Sequence, residues 1–126
     1  MNILIPLFIF VLYSLAKRLQ IKRRFLAGAS FSEKCLAKSS YLITNGATID
    51  TIKSKIENVS WISLVVVTNN NICLLTNMTW KSFGEKMTIK LEGDTLVIVS
   101  QLANKTVLDY GKNKQNIDKL YNIITS

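Results

Sequence analysis

The first sixteen residues carry no charged side chain, and the next eight carry five positive ones. Ile3 to Ala16 reads ILIPLFIFVLYSLA, and Lys17, Arg18, Lys22, Arg23 and Arg24 follow. A segment this apolar on every side does not suit the surface of a water-soluble fold, where a helix keeps one polar face. Fourteen residues rise about 21 Å as a helix, short of the roughly 30 Å hydrocarbon core of a bilayer. Continued to Ile21, with Lys17 and Arg18 snorkelling to the interface, the helix reaches about 28 Å. Pro6 sits near the helix start, where a missing N–H costs little. Tyr13 lies near the charged end and suits an interfacial position. The pattern predicts one transmembrane helix, with lipid as its partner and the five cations at the membrane interface.

Three other readings fit less well. A cleaved signal peptide places its positive charge before the apolar run, and here it comes after. A lipoprotein anchor needs Cys after Leu26-Ala27-Gly28, where Ala29 stands. A buried core helix would not end in a five-charge block. The flank before the run has no Lys or Arg and the flank after it has five, so the positive-inside rule predicts an external N-terminus and a cytoplasmic domain. The sequons Asn58-Val59-Ser60, Asn77-Met78-Thr79 and Asn104-Lys105-Thr106 would then never meet the glycosylation machinery.

Charge and composition exclude several functions. Net charge is +8, and the basic block holds +5 of it together with all three arginines. The 102 residues after Arg24 keep only +3, which is no spread-out basic face for nucleic acid. Histidine is absent, which removes His-dependent triads and His-ligated zinc. Cys35 and Cys73 are too few for a four-cysteine metal site, and Cys73 lies in an apolar run where a thiol acts as a small hydrophobe. The eight carboxylates form no paired acid–base or cation-loop spacing, and the glycines form no phosphate loop. The expectation is a chain that is not an enzyme and holds no metal or cofactor.

Residues 1–24 are thus read as anchor and basic juxtamembrane segment, 25–34 as connector and 35–126 as one α+β domain. Leu36 to Ile43 reads as a first strand or extended lead-in, and Asn45-Gly46 as a turn. Thr48 can cap a helix whose stripe is Ile49, Ile52, Ile56 and Val59. Four strand-like runs follow: Trp61–Thr68, Ile72–Thr79, Lys86–Glu92 and Thr95–Ser100. Asn69-Asn70-Asn71 and Gly93-Asp94 supply turns too short for parallel crossovers, so the runs form an antiparallel meander. A closing helix starts near Asn113, a candidate N-cap, and carries the stripe Ile117, Leu120, Tyr121 and Ile124. The predicted architecture is (β)αββββα: a four- to five-stranded antiparallel sheet with two helices on one face.

Two segments between these elements combine an aromatic, a glycine and charges: Trp80-Lys81-Ser82-Phe83-Gly84-Glu85 and Asp109-Tyr110-Gly111-Lys112-Asn113. Loops of this kind carry binding sites. The plainer reading is structural: Gly84 and Gly111 supply positive φ, Asn113 caps the helix, and Asp109 accepts backbone N–H groups. The two loops are expected to meet in space, with Glu85 paired to Lys112.

Asp109, Gly111, Asn113 and Ile117 fill the pattern Asp-x-Gly-x-Asn-x-x-x-Ile, after the strand end Val99-Ser100. This resembles the closing motif of a family of small bacterial domains of unknown function. Ser82 to Ile89 resembles a Ser-aromatic-Gly-Glu-x-(apolar)-Thr-(apolar) stretch of its bacteroidete members. The resemblance covers about Ile49 to Ile124, implies the same α+β fold and brings no activity. Asn116 stands where the pattern often has Arg, so an anion-binding role of that Arg does not carry over. The chain is expected to be a membrane-anchored accessory protein that binds a protein partner. A small-molecule or lipid-binding module, or an enzyme centred on Glu85 and Asp109, are the alternatives.

Overall fold

The computed structural model describes residues 4–28, 36–43, 47–77, 84–102 and 111–126. The chain divides into two compact units, Met1–Ser30 and Phe31–Ser126. The first is a single helix, α1 (Leu4–Leu26), which runs two residues into the segment read as connector. Pro6 lies in its first turn, where the backbone N–H groups have no helical acceptor anyway.

The expected transmembrane helix needs correcting in its reach. Among the described residues no helix is long and apolar enough to cross a membrane. The physical reason is where the charge begins. The uncharged part of α1, Leu4 to Ala16, rises only about 20 Å, and the remainder of the helix carries all five cations.

The second unit holds β1 (Ala37–Leu42), α2 (Ile49–Ile56), β2 (Ile62–Thr68), β3 (Asn71–Thr76), β4 (Glu85–Glu92), β5 (Thr95–Leu102) and α3 (Lys112–Thr125). The five strands form one sheet in the order β1-β5-β4-β3-β2, and every neighbouring pair is antiparallel. β2 to β5 are the expected meander. β1 closes the other side against β5, so α2 carries the chain from one edge of the sheet to the other.

Strand alternation builds the core. Ile72, Ile89 and Ile98 form one row across three strands, and Leu74 and Met87 form the next. All five have no exposed surface. Ile52 and Ile56 of α2 and Ile117, Leu120 and Ile124 of α3 complete the same cluster, so both helices cover one face of the sheet. Thr48 caps α2 as expected, in a capping box with Thr51. Tyr121 does not bury fully but stacks on Tyr41 of β1, with ring centroids 3.9 Å apart. Lys55 of α2 donates to the carbonyl oxygen of Ile124, tying the two helices together.

Several boundaries differ from expectation: β5 runs two residues past Ser100 to Leu102, and α2 stops at Ile56, so that Val59 lies beyond it. β3 ends at Thr76, short of the expected Thr79, and Asn77 follows it outside the strand. Its N–H donates to the Trp61 carbonyl and its side chain to the Ser60 carbonyl. Asn113 is not the N-cap of α3. Gly111 holds that place in the left-handed conformation, with φ 72° and no side-chain cap, and Asn113 lies inside the helix, buried.

Ile98 sits at the centre of the central β5 ladder with 0% exposure. Ile98→Ala should cost about 2–5 kcal/mol, whereas Val97→Ala, half-buried on the opposite face, should cost clearly less. Urea unfolding of the two variants measures the difference.

Candidate functional site

The helix-covered face of the sheet changes from apolar to polar at one end. There Thr76, Glu85 and Ser100 replace the aliphatic side chains of β3, β4 and β5, and all three are buried. Asn113 and Asn116 of α3, both with 0% exposure, face them. These two residues extend the stripe of Ile117, Leu120 and Ile124 backwards at helical spacing, so one face of α3 is polar at its start and apolar afterwards.

The contacts close in pairs. Ser100 Oγ donates to Asn113 Oδ1 at 2.7 Å. Asn116 Nδ2 donates to Glu85 Oε1 at 2.7 Å. The Glu85 backbone N–H donates to Thr76 Oγ1 at 2.8 Å, so a side chain of β3 stands in for a ladder acceptor. α3 begins without a side-chain cap, and its first turn is held instead by bonds to two neighbouring strands. Asn116 Oδ1 is buried and has no hydrogen-bond partner among the described residues. A carboxyl without exposed surface needs such partners, because desolvation without them costs several kcal/mol on the order of the bond itself.

Gly84 belongs to this end of the sheet for a steric reason. Its φ is 101°, and a Cβ there would lie 2.8 Å from the Thr76 carbonyl oxygen. Gly111, also at positive φ, faces open space. Both glycines thus have the conformations expected from the sequence, but only Gly84 is additionally required by a close approach.

Of the expected site residues, Gly84, Glu85 and Asn113 come together here. Gly111 and Lys112 start α3 beside them. Trp80, Phe83, Asp109 and Tyr110 lie outside the described residues. The expected ion pair of Glu85 with Lys112 is replaced by the amide of Asn116: an inward-facing Asn one helical turn past Lys112 reaches the buried carboxyl. Thr76 is not marked by the sequence, and Ser100 and Asn116 enter it only beside the closing motif, with no site role. Four residues before Leu120 and Ile117 on the α3 stripe stand Asn116 and Asn113.

Chemically the cluster holds one carboxyl, two amides and two hydroxyls, bonded largely to one another. Among the described residues there is no group of three or more His, Cys, Asp or Glu that could hold a metal ion. Cys73 is free and half-buried in β3; Cys35 lies outside the described residues. Elsewhere on the domain, a shallow groove of about 410 Å³ runs between the start of α2 at Thr48 and Asp50 and the turn at Asn69 and Asn70.

Substitutions separate the contacts. Gly84→Ala should destabilise the domain by about 2–4 kcal/mol, since both backbone strain and the Thr76 carbonyl oppose a Cβ. Gly111→Ala should cost only about 1 kcal/mol, from strain alone. Asn116→Asp, which sets a second carboxyl against Glu85, should cost about 3–5 kcal/mol, and Glu85→Gln, which keeps an acceptor for Asn116, far less. Thermal melts of the four variants test this order; a Gly111→Ala loss as large as that of Gly84→Ala would remove the close-approach argument.

In comparisons with known proteins, no family model, no curated protein and no solved structure matches the chain.

Proposed function

We propose that the chain is a membrane-anchored interaction protein, held by α1 and presenting its α+β domain on the cytoplasmic side to a protein partner. The observation that carries this reading is that the charge of α1 is segregated along the helix axis and not around it. At about 100° per residue, Lys17, Arg18, Lys22, Arg23 and Arg24 fall at roughly 0°, 100°, 140°, 240° and 340°, leaving no cation-free face. From Ile5 to Leu15 the large apolar side chains are exposed by 45% (Val11) to 66% (Phe10), again on every side. A helix that lies in the membrane plane has an apolar and a polar face. This one has an apolar end and a cationic collar, the form that suits end-on insertion.

Such an apolar surface is far larger than soluble chains expose in one patch. The 20 Å rise of the uncharged part passes the midplane of a bilayer, at about 15 Å, without reaching the far side. Crossing requires the turn through Ile21, which is buried in this structure as Phe25 is, to be released and drawn in, with Lys17 and Arg18 extended towards the headgroups. The five cations then rest in the cytoplasmic leaflet, where anionic headgroups favour them by about 1 kcal/mol each. The buried, mutually bonded site of Glu85 and Asn116 supports a structural role for that cluster, which leaves partner binding to the domain's outer surfaces.

Fractionation tests the anchor. The full chain should stay with membranes through high-salt and carbonate washes, because salt screens the collar but not the apolar end. Release by carbonate would overturn the reading.

Orientation is tested separately. A reporter fused after Ser126 should be active only if it works in the cytoplasm. Replacing the five cations by Gln should scramble the orientation, since they supply most of the Lys/Arg asymmetry across the helix. A C-terminus open to external protease in intact cells would refute the assignment.

A further inference from the structure

The two edges of the sheet are built differently. β1 carries Lys38, Ser39 and Ser40, the charged and polar residues that discourage an edge from pairing. β2 has no charged residue and no proline from Trp61 to Thr68, and contains three consecutive valines. Its one irregularity, a register shift between Ile62 and Leu64, leaves Leu64 to Thr68 in regular pairing with β3.

Hairpin geometry decides which backbone groups of β2 are open. The turn has two residues, Asn69 and Asn70, so Thr68 and Asn71 form the hydrogen-bonded pair that closes it. Bonded pairs then alternate back through Val66 and Leu64. The N–H and C=O groups of Val65 and Val67 point away from β3, and among the described residues no backbone group pairs with them.

We propose that this edge is a dimer contact, occupied by the β2 strand of a second copy of the chain, antiparallel about a twofold axis at Val65. That register sets Val65 against Val65, Leu64 against Val66 and Val67 against Ser63. Every opposed pair is neutral, and most are branched aliphatic pairs, which stabilise antiparallel neighbours. The side-chain period of two keeps the helix-covered faces of both copies on the same side of a continuous ten-stranded sheet. A strand that is complementary to itself in this way is what a twofold interface needs, whereas a foreign peptide would have to supply its own match.

Five paired residues bury less than the roughly 1,200–2,000 Å² of a standard interface, so the dimer is weak and its population follows concentration. Confinement to one membrane raises that concentration, a step that rests on the anchoring proposed above.

Cross-linking tests the register. The full chain, with Cys35→Ser and Cys73→Ser, receives a single cysteine by Val65→Cys or by Thr68→Cys, and is treated with a short thiol-specific cross-linker. The reaction is run in membranes and in detergent at rising concentration. Val65→Cys should give a product of twice the chain mass, several-fold more than Thr68→Cys, whose two copies lie about 20 Å apart in this register. Adding Val67→Pro should bring Val65→Cys down to the Thr68→Cys level while circular dichroism stays native, because the lost N–H serves only the open edge. If that variant unfolds, Val67→Lys takes its place. A Val65→Cys yield no higher than that of Thr68→Cys overturns the dimer, and so does a product of any other mass, which would assign the edge to a different protein. A dimer formed in detergent by a chain that carbonate releases from membranes would support the pairing and refute only the anchor.

Discussion

A carboxyl sealed from water at the polar end of the sheet is held by an amide of α3. Glu85 at the start of β4 has no exposed surface, and Asn116 donates to it from α3. Around that bond, Asn113 with Ser100 and Thr76 with the Glu85 backbone align three strand ends and the first helical turn. The rest of the domain core is aliphatic and non-directional. Packing of Ile, Leu and Met tolerates small shifts of a helix along a sheet, but a 2.7 Å hydrogen bond does not. The amides thus set where α3 begins, a task that Gly111 cannot perform because it offers no capping side chain.

The same bonds are in keeping with the structural reading of this cluster, the plainer of the two that the sequence offers. Glu85, Gly84 and Asn113 stood out in the sequence because they combine charge, amide and glycine between regular elements. In the fold their polar atoms face inward and meet partners, which lowers their availability to a ligand. The outer face of the sheet carries Val66, Cys73 and Val99, half-buried, and the β2 edge has no charged residue. The helix α1 belongs to different physics altogether. Its stability in a bilayer would come from lipid, and its orientation from charge, with no help from the domain core.

Local signals were read well where one short segment decides the outcome. Thr48 caps α2 because its hydroxyl reaches the N–H of Thr51 within the same turn. Gly93-Asp94 and Asn69-Asn70 make their hairpins because two residues at positive or permissive φ close a strand pair. The stripes of α2 and α3 were legible from spacing alone. Other features depend on residues distant in sequence, which no local signal supplies. Asn77, just past β3, binds Ser60 and Trp61, and Asn116 reaches Glu85 across 31 positions.

By itself the sequence determined the elements, their antiparallel meander and the break between an uncharged N-terminal run and a basic collar, because hydrophobic periodicity, turn chemistry and charge order are local properties. Only the tertiary structure decided that β1 lies beside β5, that β2 is left as an open edge, and that Asn113 and Asn116 point into the sheet. Strand order depends on which edges a crossover can reach, and a side chain's partner depends on what the fold brings opposite it. Neither is encoded in any window of the chain, since a buried Asn and an exposed Asn look alike until the surface that covers one of them is in place.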